Sequence, residues 1–205
     1  MIAALTALIL YLAYLVIAFG LRAWIMHRRT GSTGYRGLSG RPGSARWGGG
    51  DLFAAALLAG FATPALQLTG LTPAIAILNA PTIHAIGLAL ALLGTTATLA
   101  AQHAMGITWR VGVDTEERTE LVRSGLFALV RNPFFTALLI TATGLVLLAP
   151  NPIALAALAT LVIAVQVQVR AIEEPYLLAL HGGAYRDYAR ATGRFLPRIG
   201  TDHTR

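Results

Sequence analysis

The sequence predicts an all-α, polytopic integral membrane protein with about five transmembrane helices. Of its 205 residues, 56% are hydrophobic and only 12% are charged, about half the charged fraction of a typical soluble domain. The apolar residues fall into five long segments, and most of the charged residues lie between these segments. The length suits one membrane domain that covers residues 1–205 and leaves no room for a second large domain.

Five segments are long and apolar enough to be predicted as membrane spans. A bilayer core is about 30 Å thick, and a helix crosses it with about 20 apolar residues. The first segment lacks a basic start and a small-residue cleavage site, so we interpret it as a retained anchor rather than a signal peptide. The link Ala149-Pro150-Asn151-Pro152 predicts a tight helical hairpin between the last two spans, because neither proline continues a helix. The predicted spans are 2–26, 52–71, 83–104, 133–148 and 153–169.

The distribution of arginine predicts the orientation of these spans. All sixteen basic residues are arginine, and the formal net charge is +7. The arginines follow the first, third and fifth spans, whereas the links at 72–80 and 149–152 carry no charge. Five spans place the three arginine-rich segments on one side of the membrane. The positive-inside rule then predicts a protein of the inner (cell) membrane with its N-terminus outside and its C-terminus in the cytoplasm.

Two parts of the chain are expected to differ in role. Residues 1–110 hold the first three spans and a cytoplasmic loop at 27–50, which is rich in Gly, Ser and Arg and predicts a flexible segment near anionic lipid head groups. Its arginines do not alternate with aromatic residues, so no nucleic-acid partner is expected. Residues 111–205 form the candidate catalytic region. The chain has no cysteine, and its histidines show no ligand spacing, so no metal is expected either.

The segment before the fourth span carries the first candidate functional motif. Asp114-Thr-Glu-Glu117 predicts a helix N-cap with an acid three positions later. Gly125 permits a sharp turn or a close approach to a ligand, and Pro133 suits the first turn of a helix. Composition alone favours a simple membrane re-entry loop with Arg131 as a snorkelling anchor.

The second motif follows the fifth span. Arg170 and Glu174 are four residues apart, so they share a helix face and can form an ion pair. Ionisable groups at the end of a span are costly unless they are paired or functional. An exposed interfacial salt bridge, worth about 0–1 kcal/mol, is the alternative interpretation. The sequence 182–197 then predicts a turn, a short amphipathic helix and a capped tail, in which Tyr185 and Tyr188 are expected to be interfacial aromatic residues.

The order of these motifs resembles a known family. The segments ELVRSGLFALVRNPFF, a helical hairpin, RAIEEPYLL and GGAYRDYARATGRFLP are similar to the isoprenylcysteine carboxyl methyltransferase (ICMT) family. The resemblance covers 120–197, a little under half of the chain. It implies a prokaryotic-type membrane methyltransferase that uses S-adenosyl-L-methionine and releases S-adenosyl-L-homocysteine. The implied acceptor is the carboxylate of a lipophilic, isoprenoid-like molecule that arrives from the lipid bilayer at the cytoplasmic membrane face.

The resemblance also implies the site residues. Arg170 and Glu174 match the family's substrate-site pair, and both are expected to be catalytic. Asn132 stands where the family has histidine, while Phe127 and Phe135 stand where it has tyrosine. The cofactor is expected to be held by the segment before the fourth span and by the C-terminal tail. The implied cofactor contacts are Gly112, Thr119, Glu120, Leu121, Val122, Phe127, Asn132, Pro133, Phe134 and Phe135.

The sequence leaves three alternatives open. An NADPH-dependent membrane reductase of the sterol or steroid reductase type has a similar multi-span plan and does not require a GxGxxG motif. A non-enzymatic small-molecule carrier or assembly subunit is the second. Within the methyltransferase hypothesis, a phospholipid amine or a thiol is the third, although an amine would meet the like charge of Arg170.

Overall fold

The computed structural model describes residues 1–35, 44–106, 109 and 120–202, and within them every extended regular element is a helix. The predicted all-α fold is therefore confirmed. Two π-helical turns, Val16–Leu21 and Gln168–Glu173, join α1 to α2 and α7 to α8 into two long continuous helices. The helices are α1 (Ile2–Leu15), α2 (Arg22–Thr30), α3 (Ala45–Leu68), α4 (Pro81–Met105), α5 (Leu126–Leu129), α6 (Pro133–Leu148), α7 (Pro152–Val167), α8 (Glu174–His181) and α9 (Gly183–Ala191).

Four helices in the described part of the chain are long and apolar enough to cross a membrane, which confirms a polytopic membrane protein. They are Ile2–Thr30, Trp47–Leu68, Pro81–Met105 and Pro152–His181. The predicted fourth span is also a helix, α6, but it has only 16 residues. At 1.5 Å per residue, α6 is about 24 Å long, which is shorter than the bilayer core. The bundle therefore has four full-length candidate spans and a shorter fifth helix.

The hairpin between α6 and α7 forms as its sequence predicts. Asn151 is fully buried, and its side chain accepts a hydrogen bond from the backbone N–H of Ala154 at 2.9 Å, which caps α7. The same side chain donates to the carbonyl of Thr63 at 3.3 Å and to Oε1 of Gln67 at 2.9 Å. Asn151 thereby fastens the hairpin to α3.

Helices α4 and α6 pack through small residues. Gly87, Ala91 and Gly94 of α4 are buried against Thr141 and Gly144 of α6. A Cβ atom on Gly94 would lie 2.5 Å from the backbone N of Thr141, and a Cβ on Gly144 would lie 2.5 Å from the carbonyl of Gly87. Lipid gives apolar helices no hydrophobic drive to associate, so close backbone packing of this kind holds them together.

Four other contacts close a ring of helices. Helix α3 packs against α1 and α7, and α6 packs against the same two helices. The main core cluster fills the ring near one of its ends. That cluster consists of Tyr14, Ala18, Ala56, Leu138, Leu161, Val165 and Val169.

The contacts bring the described ends of the arginine-rich segments to the same end of the bundle. Arg22 donates from Nη2 to the carbonyls of Gln102 and Gly106 at the end of α4, and its guanidinium lies 5.4 Å from the ring centre of Trp109. The C-terminal tail contacts the start of α6, where the backbone N–H of Arg131 donates to the carbonyl of Gly193 at 2.8 Å. Five helices that cross the membrane in turn require these three segments to lie on one side, and the common end meets that requirement.

We predict that Gly94→Ala destabilises the bundle by about 1–3 kcal/mol or more, because the added methyl group meets the backbone of α6. The control is Gly20→Ala, since a Cβ there has no atom within 4 Å. Thermal unfolding of the two variants in detergent is the measurement. Equal melting temperatures for both variants would contradict the close packing of α4 on α6.

Candidate functional site

The carboxylate of Glu174 is the centre of a charged cluster at the end of the bundle where the arginine-rich segments meet. Arg194 donates from Nε to Oε1 at 2.7 Å and from Nη2 to Oε2 at 2.9 Å. Arg131 donates from Nη2 to Oε1 at 3.1 Å. The fork from Arg194 engages both carboxylate oxygens, which is the strongest common arrangement of an arginine–carboxylate pair. We call Glu174, Arg131 and Arg194 the charge cluster.

The side chain of Arg131 is only 2% exposed, so the interpretation of this residue as a snorkelling anchor is wrong. Its guanidinium also donates to two backbone carbonyls, from Nη1 to Ala189 at 2.9 Å and from Nη2 to Gly200 at 3.1 Å. A buried guanidinium requires such partners because the loss of its hydration is costly. Arg131 therefore connects the start of α6 to α9, to the tail and to Glu174.

Arg170 does not take part in the ion pairs of Glu174. It lies exposed in the π-helical turn before α8, and its Nε donates to Oε1 of Gln166 at 2.8 Å. The ion pair that the spacing of Arg170 and Glu174 predicted is replaced by pairs with Arg131 and Arg194. Those two arginines approach from other segments of the chain and are more buried than Arg170.

The charge cluster keeps Arg194 ionised. Its hydrogen bonds with Glu174 raise the pKa of the Arg194 guanidinium above the ordinary value, although partial burial acts in the opposite direction. Two guanidinium groups face one carboxylate, so the cluster has a formal charge of +1. The +1 charge of these three side chains favours anionic groups nearby, and Asp202 is one such group, since its charge also raises the pKa of Arg194.

The tail runs beside the start of α6 and is fixed there by hydrogen bonds. The side-chain amide of Asn132 donates to the carbonyl of Arg194 at 3.1 Å. The hydroxyl of Thr136 donates to the carbonyl of Phe195 at 2.8 Å. Gly193 is required at the start of this contact, because a Cβ there would lie 2.7 Å from the carbonyl oxygen of Ile199 and closer still to that of Leu196.

Helix α9 packs against the segment before α6 and holds it next to the tail. Tyr185 and Tyr188 are buried, so their interpretation as interfacial aromatic residues is wrong, and with Ala189 they pack against Leu121. The hydroxyl of Tyr188 donates to the carbonyl of Phe127 at 2.6 Å. Burial raises the pKa of Tyr188 to about 12, and burial likewise raises the pKa of Tyr185. Both phenols therefore keep their protons at physiological pH.

The structure brings most of the expected cofactor residues to this end of the bundle. Gly112 and Thr119 lie outside the described residues, as does the predicted N-cap at 114–117. Gly125 has a φ of +59°, and the sharp turn predicted there is confirmed. Glu120 is exposed, Pro133 is buried as the first residue of α6, and the others are half-buried. These half-buried residues are Leu121, Val122, Phe127, Asn132, Phe134 and Phe135.

Aromatic rings line the start of α6. The ring of Phe134 lies edge-on to Phe19, with 6.2 Å between their centres, and to Phe135, with 5.5 Å between theirs. The polar amide of Asn132 lies one residue before α6, in contact with the tail. An apolar aromatic surface thus borders a polar, positively charged one. In the part of the chain that the structure describes, no group of three or more His, Cys, Asp or Glu residues is placed to hold a metal ion.

We predict that Glu174→Gln destabilises the end of the bundle that carries the charge cluster by about 3–5 kcal/mol, because it leaves the buried Arg131 without a counter-charge. Asp187→Asn is the matched control. It breaks an exposed pair with Arg190 and is expected to cost less than about 1 kcal/mol. The measurement is thermal unfolding combined with limited proteolysis of the tail. If both variants melt alike, the charge cluster does not hold the tail.

We predict that Tyr188→Phe costs about 1 kcal/mol, because the carbonyl of Phe127 loses its donor. A pKa raised in the folded state contributes stability below pH 10, and that contribution is lost as the pH rises from 10 to about 12. Between pH 10 and about 12, the free energy of unfolding should therefore fall less in Tyr188→Phe than in the wild type. Unfolding measured across this pH range is the test, and identical pH profiles would contradict it.

Comparison with known proteins agrees with this geometry. The model of the phospholipid methyltransferase family matches residues 82–183, from α4 to the start of α9. A comparison with curated proteins gives no match. Among solved structures, the eukaryotic intramembrane Ras methyltransferase ICMT, without a monobody, has a similar fold, with a TM-score of 0.60 and 20% identity over 93% of this chain. This chain spans 66% of the length of that ICMT chain.

The two comparisons complement each other. The likeness to the solved structure concerns the fold, which it shares over nearly the whole of this chain. The family match concerns the sequence, and it includes two of the three members of the charge cluster, Arg131 and Glu174. Together they show that this chain is similar to membrane methyltransferases, in sequence over 82–183 and in fold over nearly its whole length.

Proposed function

We propose that the chain is an S-adenosylmethionine-dependent methyltransferase that esterifies the carboxylate of a lipophilic, isoprenoid-like acceptor at the cytoplasmic face of the inner (cell) membrane. The observation that carries this proposal is the charge cluster, which holds the segment before α6 and the C-terminal tail together where the bundle ends. A water-soluble donor and a lipid-borne acceptor can both reach such a boundary. The cluster's surplus positive charge favours an acceptor that is an anion.

The residues beside α6 fit the proposed methyl donor. When bound, S-adenosylmethionine supplies an electrophilic methyl group on a sulfonium. We infer that Phe134 offers an aromatic surface to the adenine ring of S-adenosylmethionine and that Asn132 offers hydrogen-bonding groups to the same molecule. At Gly125 a Cβ would meet no atom within 4 Å, so the backbone there is open to close approach by a ligand.

A carboxylate acceptor requires little acid–base catalysis at this site. With a pKa of about 4, a carboxylic acid is already ionised at neutral pH, so no general base is needed. One carboxylate oxygen forms a C–O bond to the methyl carbon as the S–CH3 bond breaks, and the products are the methyl ester and the neutral thioether. The protein's contribution is to hold the two reactants in line and to exclude water.

Two residues have distinct proposed roles. Arg170 is exposed one turn before Glu174, and we propose that its guanidinium holds the acceptor carboxylate through charge-assisted hydrogen bonds. Glu174 is proposed as a positioning residue, because its two oxygens are engaged by Arg131 and Arg194. This differs from a role in which Glu174 fixes Arg170 directly.

A phospholipid amine is a second candidate acceptor, which the match to the phospholipid methyltransferase family favours. An alkylammonium group has a pKa of about 10 and must lose a proton before it can attack a methyl group. Near the charge cluster its positive form would also meet two guanidinium groups. The charge balance therefore favours the carboxylate over the amine.

We predict that S-adenosylhomocysteine binds the purified protein with micromolar affinity and that Asn132→Ala weakens this binding about tenfold, which corresponds to about 1.4 kcal/mol. Asn79→Ala is the matched control, since Asn79 is exposed in the uncharged link before α4. Isothermal titration in detergent is the measurement, with NADPH as the parallel ligand. Binding of NADPH without binding of S-adenosylhomocysteine would contradict the proposed donor.

We predict that Arg170→Ala lowers kcat/KM for the acceptor by about 100-fold, or about 2.7 kcal/mol, because a charge-assisted contact to the carboxylate is lost. Arg186→Ala is the control, since Arg186 is an exposed arginine of α9. S-adenosylhomocysteine affinity should be unchanged in both variants, which separates acceptor binding from donor binding. Near-normal turnover of Arg170→Ala would remove this residue from the proposed site.

A further inference from the structure

The guanidinium of Arg170 has a neutral partner. Its Nε donates to Oε1 of Gln166 at 2.8 Å, and within the described part of the chain Arg170 forms no ion pair. Gln166 is half-buried near the end of α7, and Arg170 is exposed in the π-helical turn that follows. We propose, on the basis of the role proposed above for Arg170, that Gln166 is a positioning residue that holds this guanidinium for the acceptor carboxylate.

The contact with Gln166 occupies one edge of the guanidinium and leaves another. An arginine can bind a carboxylate in a two-point fashion either through Nε and one Nη or through its two Nη atoms. Arg194 uses the first mode, because its Nε and Nη2 both donate to Glu174. In Arg170 the Nε is already engaged by Gln166. The edge formed by Nη1 and Nη2 of Arg170 is therefore the one that remains for an acceptor.

An amide suits this position better than a carboxylate. The side-chain oxygen of Gln166 accepts the hydrogen bond without adding a negative charge, so Arg170 keeps its full attraction for an anion. A long side chain such as that of arginine also loses rotamer freedom when it binds a ligand. The hydrogen bond to Gln166 restricts Arg170 beforehand, which reduces this cost at the moment of acceptor binding.

The pair of Gln166 and Arg170 lies on the side of α7 that faces the bilayer. Ile163, three residues before Gln166, is 53% exposed, whereas Val165 and Val169 on the inner side of the helix have no exposed surface. An ionisable group at the end of a span indicates a functional site more readily than a packing contact. An acceptor that diffuses in the bilayer can reach this side of α7 without entering the bundle.

The π-helical turn Gln168–Glu173 keeps Arg170 apart from Glu174. In a regular α-helix two residues four apart share a face, whereas a π-helical turn holds an additional residue and changes the direction of the side chains that follow it. Glu174 pairs with Arg131 and Arg194 instead. The turn thus separates a guanidinium that keeps its charge available from a carboxylate that is fully engaged.

The test compares Gln166→Glu with Gln166→Met, which is similar in length but lacks the carbonyl oxygen. The assay follows methyl transfer to a farnesylated cysteine with a blocked amine. We expect the KM for this acceptor to rise about tenfold in Gln166→Met and further in Gln166→Glu, with a smaller change in kcat. The added carboxylate of Gln166→Glu would compete with the acceptor for Arg170. A purely structural role predicts the opposite order, because Gln166→Glu keeps an oxygen for Nε and adds an ion pair.

Thr160→Val is the matched control, since the hydroxyl of Thr160 donates only to its own helix, at the carbonyl of Ala156, and its KM should equal that of the wild type. A sharp melting transition in detergent checks the folding of each variant, and if Gln166→Glu does not fold, Gln166→Met decides. Combining Gln166→Met with Arg170→Ala should raise the KM no further than Arg170→Ala alone, because both changes remove one interaction.

Two contrary results have different meanings. A normal KM in both Gln166 variants, together with a raised KM in Arg170→Ala, would overturn the role of Gln166 and leave the proposed function intact. If the wild type does not methylate the farnesylated cysteine, or if Arg170→Ala methylates it normally, the proposed function is itself contradicted, and the role of Gln166 is overturned with it.

Discussion

One carboxylate, that of Glu174, forms ion pairs with two arginines that come from separate segments of the chain, one before α6 and one in the C-terminal tail. Arg131 is buried and would be costly without it. Through the same guanidinium, Arg131 holds carbonyls of α9 and of the tail, so the positions of three segments depend on a single ion-pair cluster. The surplus positive charge that remains is the electrostatic basis for proposing an anionic acceptor.

The membrane part of the molecule sets the place where this cluster forms. Close backbone contact between α4 and α6 fixes the short helix α6 against a full-length one, and α6 begins at the residues that face the tail. At its other end Asn151 fastens the α6–α7 hairpin to α3. The lipid-facing side chains are apolar and exposed, as a bilayer requires. Specific contacts between helices therefore position the site, and hydrophobic burial alone would not position it.

The features that depend on local sequence were predictable. Hydropathy predicted the helices, the prolines around Asn151 predicted the hairpin, and the turn at Gly125 followed from its lack of a side chain. The charge cluster was not predictable in this way. Glu174 lies 43 residues from Arg131 and 20 residues from Arg194 in the sequence, whereas a rule based on helix spacing considers only Arg170. The small-residue contact of α4 with α6 was likewise missed, because its glycines are seven residues apart and form no GxxxG motif.

The kind of bond that the transferred methyl group forms in the product tests the central claim most directly. Membranes that contain the protein are supplied with methyl-labelled S-adenosylmethionine, a farnesylated cysteine and phosphatidylethanolamine, and the labelled product is treated with mild base. A carboxyl methyl ester releases its label as volatile methanol, and this is the result that an anionic acceptor beside the charge cluster predicts. Label that stays with the phospholipid as a base-stable methylamine would contradict carboxyl methylation and identify an amine as the acceptor.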